Sequence, residues 1–154
     1  MSSDLWSSTL TTYALPGVEG ACLELQAAGA NVCLLLCAVW LGQRGVMCNA
    51  QRLQQLHQLA GPWHDDVVQP LRQLRTQWRA PALQDVELNI LREQVKALEL
   101  EAERQLLLRL ETTARDWSEY EAKDLPAWLE GLAAQAANLN RDALNKLRVA
   151  VTVA

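Results

Sequence analysis

The stretch NVCLLLCAVWLG, residues 31–42, is the most apolar part of the chain. A bilayer-spanning helix needs about twenty apolar residues, and this run is roughly half that length. Gly29 lies just before it, and Gly42 closes it. A helix that is apolar on every side but too short to cross a membrane belongs at the centre of a helical core. The stretch therefore predicts a central core helix and no membrane span.

The composition of the whole chain agrees with a helical fold. The chain is rich in Leu, Ala, Gln and Glu, contains Ile once and lacks Phe. Strands prefer β-branched and aromatic residues, so this bias favours helices. A length of 154 residues suits one domain with one core. We predict an all-α, single-domain helical bundle of six or seven helices over residues 1–154.

The sequence marks the boundaries of two helices on the C-terminal side of the core stretch. Asn49 can cap a helix that Gly61 and Pro62 should stop, and Pro62 then suits the first turn of the next helix. Pro70 lacks an N–H and would clash with the carbonyl of Asp66. We therefore expect a kink or a restart of that helix at Gln69–Pro70.

Residues 84–117 read as one long acidic amphipathic helix. Apolar residues recur at spacings of three and four, and residues 85–125 hold eleven acids against six bases. Unbroken, this helix would be about 50 Å long. Because that length exceeds the diameter of such a domain, part of the helix should kink, project or meet a partner helix.

Charge and terminal sequence restrict the partners. The net charge is −4, and only one segment, residues 43–81, is mildly basic, so nucleic acid is a poor partner. The first residues resemble neither a secretory signal nor a transit peptide, so we expect a cytoplasmic protein with its four cysteines reduced. The expected partner is another protein or a second copy of the chain.

The segment WHDDVVQPLRQLR, residues 63–75, holds the candidates for catalysis. His64 followed by Asp65 and Asp66 resembles the metal-binding pairs of hydrolases, but neighbouring residues on a helix diverge by about 100° and further ligands are scarce. Carboxylates also favour the N-terminal end of a helix dipole. We favour this helix-end interpretation and keep the three residues as weak catalytic candidates.

The same region holds the candidate binding residues. Arg72, Arg75 and Arg79 share a face that Trp63 and Trp78 bracket, a composition typical of interfaces. The arginines could dock an anionic ligand or an acidic partner. Alternatively, they pair within the chain with acids of the long helix, for which three are available: Glu99, Glu101 and Glu103.

Motifs for metals, cofactors and covalent catalysis are missing. Cys33 and Cys37 are spaced to share a helix face, but a zinc site needs four ligands, so they are predicted to be small buried residues. Glycine-rich phosphate loops, nucleophile elbows and zincin helices do not occur. We therefore expect no metal and no cofactor, and we favour a protein without enzymatic activity.

Short motifs are spread along the first half of the chain: Asp4-Leu5-Trp6, Tyr13-Ala14, Pro16-Gly17-Val18, Cys22-Leu23, Leu25-Gln26, Asn31-Val32, Leu34-Leu35 and Trp40-Leu41. A second landmark follows at Trp63 and Pro70-Leu71-Arg72. In this combination the first half of the chain resembles a family of small conserved hypothetical proteins from proteobacteria. The resemblance covers about residues 4–75 and implies a bacterial cytosolic helical domain, without an activity, a cofactor or a catalytic residue.

These observations lead to one functional hypothesis and two alternatives. The leading hypothesis is a non-enzymatic interaction or adaptor domain, acting through the long helix or the arginine face and possibly as a homodimer. The first alternative is a bundle that binds a small apolar or anionic ligand between its helices. The second is a metal-dependent enzyme that uses His64, Asp65 and Asp66.

Overall fold

The computed structural model describes residues 4–119 and 121–153. In this part of the chain the regular structure is helical, apart from one isolated β-bridge between Val46 and Glu119. The all-α prediction is therefore confirmed, although the helices outnumber the six or seven predicted. In chain order they are α1 (Leu5–Tyr13), α2 (Val18–Ala27), α3 (Val32–Gln43), α4 (Ala50–Trp63), a π-helical turn (His64–Val68), α5 (Gln69–Gln77), a 3₁₀ turn (Pro81–Gln84), α6 (Val86–Ala114), α7 (Leu125–Ala133), α8 (Gln135–Leu139) and α9 (Arg141–Val153).

Helix α3 is the centre of the core, as predicted. Every side chain from Cys33 to Leu41 is buried. The side chain of Asn31 caps the helix by accepting a hydrogen bond of 3.0 Å from the backbone N–H of Cys33. The other helices that pack directly on α3 are α1, α2, α4, α6 and α7. Among the described residues, no helix is long and apolar enough to cross a bilayer.

Close packing between α3 and α7 requires a glycine. A Cβ atom at Gly42 would lie 2.7 Å from the Cα of Leu125, well inside van der Waals contact. The indole N–H of Trp128 on α7 donates a 2.8 Å hydrogen bond to the carbonyl of Val46, just beyond α3. The Trp128 ring also stacks on Trp117. Helix α7 is therefore held against the centre by both shape and hydrogen bonding.

The predicted stop at Gly61–Pro62 is wrong. Helix α4 continues through Pro62 to Trp63, and the π-helical turn joins it directly to α5. Ala60 and Val68, on either side of the predicted stop, are both buried. Packing against α6 therefore keeps the chain helical where local propensity favours a break. The expected kink or restart at Gln69–Pro70 takes the form of a change from π-helical to α-helical hydrogen bonding at Gln69, with Pro70 in the first turn of α5, and the helical run does not stop there.

Helix α6 is 29 residues long, or about 44 Å at 1.5 Å per residue. It carries six Glu and four Arg or Lys, so its own acidic excess is small. From Val95 onward, one face of the helix is buried in the protein. Before Val95, its side chains are partly or fully exposed. The N-terminal part pairs with α5 and the 3₁₀ turn to form a two-helix hairpin.

Candidate functional site

The three weak catalytic candidates differ in their exposure to solvent. Asp65 and Asp66 are exposed in the π-helical turn, whereas His64 is half-buried. Burial, reinforced by the positive charge of Arg72, lowers the pKa of His64, although Asp65 opposes the shift. Within residues 4–119 and 121–153, no cluster of three or more His, Cys, Asp and Glu side chains could hold a metal ion.

The helix-end interpretation of the aspartates is wrong as well. Asp65 and Asp66 lie inside a helical run that continues from Ala50 to Gln77, so they are not at the start of a helix. The reason is the π-helical turn, in which the N–H of Gln69 bonds to the carbonyl of His64, five residues earlier. A wider turn before Pro70 accommodates the ring without ending the helix.

Trp63, one of the predicted binding residues, has structural partners on α6. The indole N–H of Trp63 donates a 2.8 Å hydrogen bond to the carbonyl of Ala102, and the guanidinium of Arg109 lies 3.9 Å from the centre of the Trp63 ring. Trp63 therefore attaches α4 to α6. Trp78 is half-buried at the end of α5, and Arg79 beside it is exposed.

Arg72 and Arg75 converge on one carboxylate. The Nε of Arg72 lies 3.1 Å from Oε2 of Glu99. The Nε of Arg75 lies 2.5 Å from Oε1, and its Nη2 lies 3.3 Å from Oε2. Of the two possibilities that the sequence left open, the structure therefore contains the intramolecular pairing. These three side chains, the Glu99 triad, join α5 to α6.

The triad forms one wall of a cavity of about 530 Å³. Side chains of α1, α2, α3, α5 and α6 line this cavity, which we call the Thr9 pocket. Its volume falls within the range of sites for small ligands. The polar lining includes Thr9, Tyr13, Glu19, Gln26 and Glu103 beside the triad, and the apolar lining includes Trp6, Leu10, Leu23, Val32, Leu36, Leu100 and Leu107.

Polar groups in the Thr9 pocket have unused hydrogen-bonding capacity. Thr9 is 8% exposed, and its hydroxyl has no hydrogen-bond partner among the described residues. Within the same residues, the carboxylate of Glu103 has neither an ion-pair nor a hydrogen-bond partner. Burial raises the pKa of Glu103, the nearby Glu99 raises it further, and Arg72 and Arg75 oppose the shift. Buried polar groups without partners are rare in proteins.

The sequence interpretation missed Thr9 and Glu103 as site residues. Thr9 lies within the apolar stripe of α1, where a hydroxyl is out of pattern, and this was the available signal. Glu103 is one of several glutamates on α6, and the pattern of charges does not distinguish it from its exposed neighbour Glu101. Only the packing of α6 against α1 and α3 brings it into a cavity.

A second feature is the apolar outer surface of the α5–α6 hairpin. All nine residues of α5 remain at least partly exposed. The exposed fraction reaches 83% at Leu83 and 77% at Val86. Monomeric proteins rarely expose large contiguous apolar patches. We define the hairpin surface as six exposed apolar side chains: Leu74, Leu83, Val86, Ile90, Leu91 and Leu98.

These features define a class of protein, an all-α bundle with an amphipathic cavity beside an exposed helical hairpin. Comparison with known families then identifies the chain: it belongs to the family described as "Protein of unknown function (DUF2390)", which matches residues 4–110. That range includes the Thr9 pocket and the hairpin. No curated protein and no solved structure matches significantly. The expectation that the chain resembles an uncharacterised family is confirmed.

Proposed function

We propose that the protein is a non-enzymatic interaction module that associates with a second copy of itself through the hairpin surface. The observation that carries this proposal is the exposure of large apolar side chains on both helices of the hairpin, on a side that no other described part of the chain covers. Two such hairpins packed face to face would form a four-helix bundle, an arrangement that buries the apolar faces of both.

The charges around the surface favour a second copy over a partner with one sign of charge. Arg79 and Lys96 are exposed there, and so are Glu87 and Glu93. Lys96 lies 3.4 Å from Glu93 on the same helix face. In a two-fold symmetric pair, each patch meets its own copy, so a surface with both signs can complement itself. A surface of one sign would repel its copy.

The test measures the oligomeric state of the full chain by sedimentation velocity and multi-angle light scattering over a range of concentrations. We expect a concentration-dependent dimer for the wild type. Ile90→Glu should weaken the dimer by about a hundredfold or more, because two-fold symmetry buries the substituted position twice.

Leu139→Glu is the matched control. Leu139 is 71% exposed and lies on α8, away from the hairpin. The same substitution there should leave the dimer unchanged. A wild-type protein that stays monomeric at the highest concentration, or equal weakening by the two substitutions, would refute association through the hairpin surface.

A further inference from the structure

The Thr9 pocket presents both donors and acceptors to its interior. Arg72 uses only its Nε toward Glu99, so its two terminal nitrogens have no partner within the described residues. The Glu103 carboxylate supplies acceptors. The hydroxyl of Thr9 can serve in either role.

The charges of the lining residues that are at least partly buried are balanced. Arg72 and Arg75 contribute two positive charges, and Glu99 and Glu103 contribute two negative charges. Glu19 also lines the pocket, but it is exposed to solvent. A bare anion would face two carboxylates, and a bare cation would face two guanidinium groups. A ligand with one charge of each sign would match the arrangement without disturbing the balance.

We propose that the Thr9 pocket binds a small zwitterion with an apolar side chain, such as a free amino acid. Its carboxylate accepts hydrogen bonds from the terminal nitrogens of Arg72, and its ammonium group donates to Glu103 and to the hydroxyl of Thr9. The side chain lies against the apolar wall that Trp6 and Leu36 help to form. This inference is independent of the self-association proposed above.

Isothermal titration calorimetry of the full chain with three matched compounds tests the charge requirement. L-phenylalanine carries both charges, 3-phenylpropionate carries only the carboxylate, and phenethylamine carries only the ammonium group. We expect L-phenylalanine to bind at least about tenfold tighter than either of the others, because each charged contact contributes about that factor or more. L-leucine provides a second side-chain shape.

Glu103→Gln tests which group meets the ammonium. This variant should weaken L-phenylalanine and phenethylamine by about tenfold and leave 3-phenylpropionate unaffected or tighter. Glu101→Gln is the matched control, since Glu101 is exposed on the same helix and lies outside the pocket lining. That substitution should change none of the three affinities.

Thr9→Val should change the stability of the fold and the affinity for the ligand in opposite directions. Replacing an unpartnered buried hydroxyl by a methyl group of similar size should raise the melting temperature, because the cost of burying that hydroxyl disappears. The same variant should weaken L-phenylalanine about three- to tenfold.

Three results would overturn the proposal. The first is the absence of saturable binding by both amino acids, and the second is equal or tighter binding of a singly charged compound to the wild type. The third is an unchanged affinity for L-phenylalanine in Glu103→Gln. Because Thr9→Val reports on stability separately, a loss of binding in a folded protein remains interpretable.

Discussion

Substitution of Glu99 by Gln removes the charge on which two arginines converge. The Glu99 side chain is 8% exposed and accepts hydrogen bonds from Arg72 and Arg75. Glutamine keeps the shape of the side chain, but its NH₂ group would face one guanidinium group instead of accepting from it. Both arginines would then lose a carboxylate partner.

The structure sets the size of the expected loss. Hydrogen bonds to charged groups contribute about 1.5–3 kcal/mol each, and breaking a buried pair costs about 3–5 kcal/mol. The side chains of Arg72 and Arg75 are 18% and 30% exposed, so water recovers part of that loss. We expect Glu99→Gln to lower the free energy of unfolding by about 3 kcal/mol. The melting temperature should fall by about 6–12 °C.

Urea denaturation followed by circular dichroism measures this change. Glu93→Gln is the matched control, because Glu93 lies on the same helix with an exposed side chain and, within the described part of the chain, pairs only with Lys96. The control should change stability by no more than about 0.5 kcal/mol. Adding Arg75→Gln to Glu99→Gln should cost less than Arg75→Gln alone, since the pair is already broken. A loss below about 1 kcal/mol in Glu99→Gln would contradict the reasoning.

The pH dependence follows from the same contacts. Burial by itself would raise the pKa of Glu99, but hydrogen bonds from Arg75 and Arg72 outweigh burial and hold the pKa below its usual value. A carboxylate with a depressed folded-state pKa stabilises the fold above its unfolded-state pKa, and this stabilisation is lost as the pH falls through the folded-state pKa. The stability gap between the wild type and Glu99→Gln should therefore shrink in acid.

Other positions give equally direct tests. Gly42→Ala should lower stability by about 1–3 kcal/mol, since its Cβ would collide with Leu125. Gly20→Ala, in a helix with open space around the new methyl group, should instead raise stability by about 0.5–1 kcal/mol. Iodoacetamide should alkylate Cys48 first in the native protein, because Cys48 is partly exposed while burial raises the pKa of the Cys37 thiol to about 12. Mass spectrometry of tryptic peptides checks the order of labelling, and modification of Cys37 before Cys48 would contradict it.

Some local predictions were confirmed because their causes are local. The apolar stretch at residues 31–42 forms the central helix, and the geometry of Pro70 places the start of α5 at Gln69. The predicted stop at Gly61–Pro62 failed because burial of Ala60 and Val68 against the rest of the bundle outweighs the local preference for a break. The helix-end interpretation of the neighbouring Asp65 and Asp66 failed for the same reason, because it required the earlier helix to stop there.

The amino-acid sequence by itself determined the helical class and the central helix, because composition and the three-to-four periodicity act within each segment. Tertiary structure alone decided which half of α6 is covered. Both halves carry apolar residues at helical spacing, yet burial begins only at Val95. Tertiary packing also brings Thr9 and Glu103, far apart along the chain, into one cavity. Periodicity states which residues share a helix face, and only packing states what that face meets.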